Sequence, residues 1–106
     1  MVLYILNAPI LTAFGKYTYV QISVDEAKKL LENNEFISAI GHKGTAELLT
    51  KLLDIEIPAN RIAIKMQVGD KAIVFQLLQR LEEGKVLTEE ELKKIPFTFG
   101  LLIREV

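Results

Sequence analysis

The chain has a single histidine, His42, in the run Gly41-His42-Lys43-Gly44-Thr45. An imidazole gives or takes a proton near neutral pH, so His42 is the first candidate for acid–base chemistry. Ala46, Leu48, Leu49, Leu52 and Leu53 follow at helical spacing, which puts His42 at a helix N-terminus. Free N–H groups at such an end attract phosphate. A surface or capping histidine is the plain alternative, and the local sequence leaves both readings open. One histidine without carboxylates at metal-ligand spacing does not build a stable metal site.

Other polar residues stand where a ligand would need them. Arg80 ends an apolar run and is followed three residues later by Glu83. An arginine leaving the core can fork onto a phosphate; the alternative is a surface charge cluster running through Glu82, Glu83 and Lys85. Arg61 begins an alternating segment, as a ligand contact or as a solvated strand end. Gln76 and Gln79 interrupt apolar sequence and must find partners in ligand or backbone. Asn7 ends the first apolar run, as a turn residue or a contact. No GxxxxGK loop and no GxGxxG occur. Ser23 and Ser38 have no histidine nearby in sequence, so a triad lacks support. Glu89-Glu90-Glu91 reads as helix capping and dipole complementarity.

These residues must be positioned by a small fold. Val2 to Leu6 reads as a buried strand closed by Asn7-Ala8-Pro9, and Tyr17 to Ile22 as a second strand. Ser23 with Glu26 forms a capping box, predicting a helix to about Asn33 with Ala27, Leu30 and Leu31 inward. Glu35 to Ile40 leads into the His42 loop and its helix. Arg61 to Gln67 alternates, with Ile62, Ile64 and Met66 on one side, and predicts a strand. Val68-Gly69-Asp70 turns into Lys71 to Leu78, expected as its central hairpin partner. Thr88 to Glu91 opens a short helix to Lys94, and Phe97 to Arg104 is a last strand. The order β-β-α-α-β-β-α-β predicts an α/β fold: one domain, residues 1–106, with a mixed sheet of about five strands flanked by helices.

Composition narrows the function classes. The 106 residues suit one domain, and half of them are hydrophobic. A domain of this size has a modest core, and pairing with a second copy would enlarge it. The absence of cysteine excludes disulfides, thiolate metal sites and cysteine nucleophiles, and fits a reducing cytoplasm. No signal peptide is recognisable, and no stretch approaches the roughly 18 apolar residues of a membrane span. The expectation is a soluble cytoplasmic protein. The net charge of −1 disfavours binding to long nucleic acid, which usually needs a basic surface. A polyanionic ligand would be small and held by a few placed cations. The Lys/Glu-rich composition without cysteine hints at a thermophilic setting.

Several of these segments together carry a resemblance. Tyr4-Ile5-Leu6-Asn7-Ala8, Ser38-Ala39-Ile40-Gly41-His42 with Thr45, Asn60-Arg61 with Ile64-Lys65, and Gln79-Arg80-Leu81-Glu82-Glu83-Gly84-Lys85-Val86-Leu87 resemble the viral type III anti-CRISPR ring nucleases. That family occurs in archaeal viruses and phages, with cellular relatives. The resemblance spans essentially the whole chain in order, although Lys43-Gly44 stands where relatives often carry Asp-Ser. It implies a homodimer that cleaves cyclic tetra-adenylate, a second messenger of CRISPR defence, without a cofactor. It places His42, Arg80 and Glu83 at catalytic positions. It places Asn7, Arg61, Gln76, Gly41 and Thr45 at ligand-binding ones.

On that resemblance the chemistry needs no metal. A ribose 2′-OH attacks its own 3′-phosphate and the 5′-oxygen leaves. His42 protonates the leaving oxygen, Arg80 offsets transition-state charge, and Glu83, from either subunit, orients His42 or keeps it protonated. The products are linear di-adenylates with 2′,3′-cyclic phosphate ends. Competing classes are a dimer that binds a cyclic nucleotide without cutting it, and a viral regulator that binds nucleic acid or protein. Replacing Arg61 or Arg80 with Ala is expected to weaken binding or turnover of cyclic tetra-adenylate; unchanged kinetics would remove the arginines from the site.

Overall fold

Ala72, Ile73, Val74 and Phe75 are completely buried, the pattern of a strand covered on both faces. They lie in β4 (Lys71–Leu77). The computed structural model describes residues 2–8, 11, 13–78 and 96–106. Among these, β4 is the middle of a five-stranded sheet. The other strands are β1 (Leu3–Leu6), β2 (Tyr17–Ile22), β3 (Phe36–Ser38) and β5 (Phe97–Arg104), in the spatial order β2-β5-β4-β1-β3. β1 runs parallel to β3 and β4, with Ile5 opposite both Ser38 and Ile73. β5 runs antiparallel to β4 and β2. The fold is thus α/β with a mixed sheet, as the sequence predicts.

Two helices are described, α1 (Val24–Asn33) and α2 (Lys43–Leu53). The predicted capping box opens α1: the Glu26 N–H donates to Ser23 Oγ at 3.1 Å and the Ser23 N–H to Glu26 Oε1 at 3.5 Å. Ala27 and Leu31 from α1, and Ala46, Leu48, Leu49 and Leu53 from α2, pack with Leu3, Ile5, Ile73, Phe75 and Phe99 of the sheet. Phe75 and Phe99 meet at a centroid distance of 5.1 Å. The opposite sheet face offers Leu6, Ala72, Val74 and Leu102, and these are covered by Ile64 and Met66. Alternate residues of β1 and β4 thus feed two cores.

The segment 61–67 corrects the sequence reading. It forms no strand of the sheet, and β4 is not its hairpin partner. β1 and β5 already occupy the two hydrogen-bonding edges of β4, so the segment crosses the second face as a strap. The alternation was real for Ile64 and Met66, which are buried; Ile62 stays 44% exposed. A period of two reports one-sided burial and is silent on ladder pairing. The sequence reading also left Phe36–Ser38 without an element, because three residues carry too little pattern. The helix expected at 88–94 lies outside the described residues.

The far end of the strap is fixed by a buried carboxylate. Asp70 is 3% exposed. Its Oδ1 accepts the Val2 N–H at 2.9 Å and its Oδ2 the Gln67 N–H at 2.8 Å. Its backbone N–H donates to the Gln67 carbonyl, closing a turn in which Gly69 has φ +88°, a conformation that favours glycine. Arg104 locks the same corner by donating to the Met66 carbonyl at 2.6 Å and the Phe14 carbonyl at 3.0 Å. Asp70→Ala would leave two inward N–H groups without their acceptor. The expected loss is about 2–3 kcal/mol of unfolding free energy, read by urea denaturation, with Asp70→Asn losing less.

Candidate functional site at the carboxyl edge of the parallel strands

In a parallel α/β arrangement the loops beyond the strands' carboxyl ends gather on one edge, where ligands commonly bind. β1, β3 and β4 are mutually parallel. Asn7 follows β1 directly, Gly41 and His42 follow β3, and Gln76 is near the end of β4. The sheet therefore brings Asn7, His42 and Gln76 to one edge. Arg80 and Glu83 lie outside the described residues.

His42 is the N-cap of α2. Its Nδ1 accepts the Thr45 backbone N–H at 3.2 Å, and Thr45 Oγ1 lies 3.2 Å from the same nitrogen. Because a backbone N–H only donates, Nδ1 presents a lone pair, and the neutral ring carries its proton on Nε2. The ring lies over Gly44, where a β-carbon would stand 3.0 Å from its Cε1. A larger residue there would have to push the ring aside. The capping role that the sequence left open is thus real, and it consumes one of the helix N–H groups expected to face phosphate.

Arg61 is brought to His42 by an extended loop, not by a strand. The Ser38 hydroxyl donates to the Pro58 carbonyl at 2.6 Å. The Asn60 side chain donates to the Ser38 carbonyl at 2.8 Å, and the Asn60 N–H to the Ile40 carbonyl at 2.8 Å. Thr50 of α2 holds the same loop by accepting the Ile57 N–H at 3.0 Å. With the loop fixed on both sides, Arg61 packs against Gly41. Its Nε and Cγ lie 3.5 and 3.6 Å from where a Gly41 β-carbon would be. Gly41, His42, Thr45 and Arg61 thus form one contiguous group. Lys43 adds a second exposed cation beside it.

Gln76 finds its partner in Tyr19, whose hydroxyl donates to Oε1 at 3.2 Å. The Tyr19 ring crosses β5 over Gly100, and a β-carbon there would come within 2.4 Å of it. Tyr19, Ser38 and Asn60 were not singled out from the sequence as site residues. For Tyr19 a signal existed: Gly100 inside an otherwise bulky strand marks a close approach. Ser38 and Asn60 stand in the segments that carry the resemblance, but their role does not show there, because their partners are backbone carbonyls that become neighbours only in the fold.

These observations define a small α/β domain with its polar groups on the carboxyl edge of a mixed sheet. The chain belongs to the STIV B116-like family, whose model matches residues 3–99. It is 48% identical over 104 residues to uncharacterized protein 26 of Sulfolobus islandicus filamentous virus (isolate Iceland/Hveragerdi), covering 93% of this chain and 88% of that protein. It is 40% identical over 101 residues to the uncharacterized protein YddF of Bacillus subtilis (strain 168), covering 93% and 94%. The structure of B116 of Sulfolobus turreted icosahedral virus superposes with a TM-score of 0.86 at 31% identity, covering 98% of this chain and all of that one. Relatives thus occur in archaeal viruses and in a bacterium. No helix among the described residues is long and apolar enough to cross a membrane.

Asn60→Ala removes the side-chain half of the loop's attachment and leaves the backbone half. A loss of about 1 kcal/mol in stability is expected, measured by urea denaturation. If Arg61 contacts ligand, affinity should fall together with that stability.

Proposed function

We propose that the protein is a metal-independent ring nuclease, working as a homodimer on cyclic tetra-adenylate. The observation that carries this reading is the N-cap of α2. Ser, Thr, Asp and Asn are the favoured caps, and the chain uses Ser23 at α1. At α2 it places its single histidine instead, half-buried, with Arg61 packed on the adjacent Gly41. A departure from the best local choice is expected where chemistry sets the residue.

The mechanism uses groups of the chain alone. A two-fold dimer repeats each residue about one axis, so two copies of Arg61 and two of Arg80 oppose the four phosphates of the ring. This local pairing suits a chain of net charge −1. The ribose 2′-hydroxyl loses its proton to solvent as its oxygen attacks the adjoining phosphorus, the bond to the 5′-oxygen breaks, and His42 gives a proton to that oxygen. Arg80 offsets charge on the phosphorane-like transition state, and Glu83 supplies a counter-charge for protonated His42. Asn7 and Gln76 serve as ligand contacts on the same edge.

A neutral capped imidazole is also a good hydrogen-bond donor, which would serve a dimer that only sequesters the ring. One assay separates the two. Labelled cyclic tetra-adenylate is incubated with the protein in EDTA, alongside His42→Ala. Cleavage to di-adenylates in EDTA, reduced at least a hundredfold in the variant, is the expected result. Tight binding without cleavage would replace the enzyme by a sponge. Neither binding nor cleavage would leave a viral regulator.

A further inference from the structure

The cap of α2 poses a problem for its own histidine. An acid that gives up its proton from Nε2 must hold another on Nδ1, both before the transfer and after it. Yet Nδ1 is the atom that accepts the Thr45 N–H at 3.2 Å. A proton placed there would face another donor. The helix N-terminus adds a partial positive charge of its own.

Thr45 also supplies the way out. Its Oγ1 lies 3.2 Å from Nδ1, as close as its N–H. A hydroxyl both donates and accepts. When Nδ1 has a lone pair, the Thr45 N–H donates to it. When Nδ1 carries a proton, Oγ1 accepts it. Thr45 is 6% exposed, so bulk water is a poor substitute for that oxygen. The charged side chains on the elements around the ring, among the described residues, are Lys43, Glu47 and Lys51 on α2 and Asp54, Glu56 and Arg61 on the loop that runs to Gly41. The residue within hydrogen-bond distance of Nδ1 is Thr45, through its N–H and its hydroxyl. Asn7 and Gln76, at the ends of β1 and β4, are uncharged.

We propose that Thr45 is the positioning residue of His42, holding the ring by Nδ1 in both protonation states so that Nε2 remains the atom for chemistry. This role differs from the ligand contact that the resemblance implies for Thr45, and it rests on the ring-nuclease reading only for its catalytic consequence. Within one turnover, the imidazolium passes its Nε2 proton to the leaving oxygen. It becomes the neutral Nδ1–H form, held by Oγ1. Solvent then returns a proton to Nε2.

The test uses the full chain with 15N-labelled histidine, in which the single His42 gives the only ring signals. Wild type, Thr45→Val and Thr45→Ser are titrated by NMR, and the pH–rate profile is recorded for each. In the wild type at high pH, the shifts should show a lone pair on Nδ1 and a proton on Nε2. Valine matches threonine in shape but lacks the acceptor. Its ring should take up the second proton about one pH unit lower, the shift equivalent to one charge-assisted hydrogen bond. The alkaline limb of its rate profile should move by the same amount. Serine should restore both.

A neutral wild-type ring protonated on Nδ1 would overturn the proposal, as would a valine variant that titrates like the wild type. If Thr45→Val fails to fold, the wild-type shifts and the serine variant decide the matter, and a serine ring that has lost the wild-type tautomer counts against it. Should the wild type cleave nothing, the ring-nuclease reading falls, while the NMR titrations still decide the role of Thr45.

Discussion

Both hydrogen-bonding edges of β4 are taken, and much of the molecule follows from that constraint. β1 lies on one side and β5 on the other, so the chain entering β4 has no ladder position open beside it. It must cross a face of the sheet. The face it crosses is the one α1 and α2 leave uncovered, and its apolar residues Ile64 and Met66 close the second core there. The strap begins at Asn60, beside the end of β3, and finishes at the Asp70 turn beside the start of β1. It therefore spans the sheet from edge to edge. The first cation of the strap, Arg61, stands at the carboxyl edge because that is where the crossing starts.

The same constraint explains what could be read from the sequence. β4 was legible because four apolar residues in a row need no partner identity to be recognised as buried. α1 was legible because Ser23 and Glu26 satisfy each other within three residues. α2 was legible from its leucine spacing. The strap was misread because alternation reflects which side is buried, and burial against a sheet face looks the same as burial within a sheet. Among the described residues β3 pairs with β1 alone, and its short ladder is decided by that partner more than by its own residues. Of the candidate site, His42 and Arg61 could be picked out singly. Their adjacency could not, because it depends on Asn60 and Ser38 meeting backbone carbonyls brought together only by folding.

Asp70 and Asn60 do comparable work at opposite ends of the strap, with different chemistry. Asp70 is a buried charge with two N–H donors, and charge-assisted bonds are the stronger kind. Asn60 makes a neutral side-chain bond beside a backbone bond, each worth about 1 kcal/mol net. At the site end the Asn60 bonds are joined by Ser38 on the Pro58 carbonyl and Thr50 on the Ile57 N–H, so several neutral bonds do there what one carboxylate does at the far end. Local opening free energies need not be uniform across a fold, and binding loops are drawn from the weaker end.

The cap of α2 joins stability and chemistry in one side chain. An imidazole that accepts a helix N–H is held in place by the helix it starts, so its orientation is fixed before any ligand arrives. Such preorganisation benefits a group that must meet a reacting atom within hydrogen-bond reach. It also sets a limit, since the bond that orients the ring opposes the protonation that acid catalysis requires. A serine or aspartate cap would avoid the conflict and supply no proton. A histidine held from elsewhere would supply the proton and leave the helix end open. On the proposed mechanism Thr45, which places an N–H and a hydroxyl on the same ring nitrogen, would allow one residue to do both.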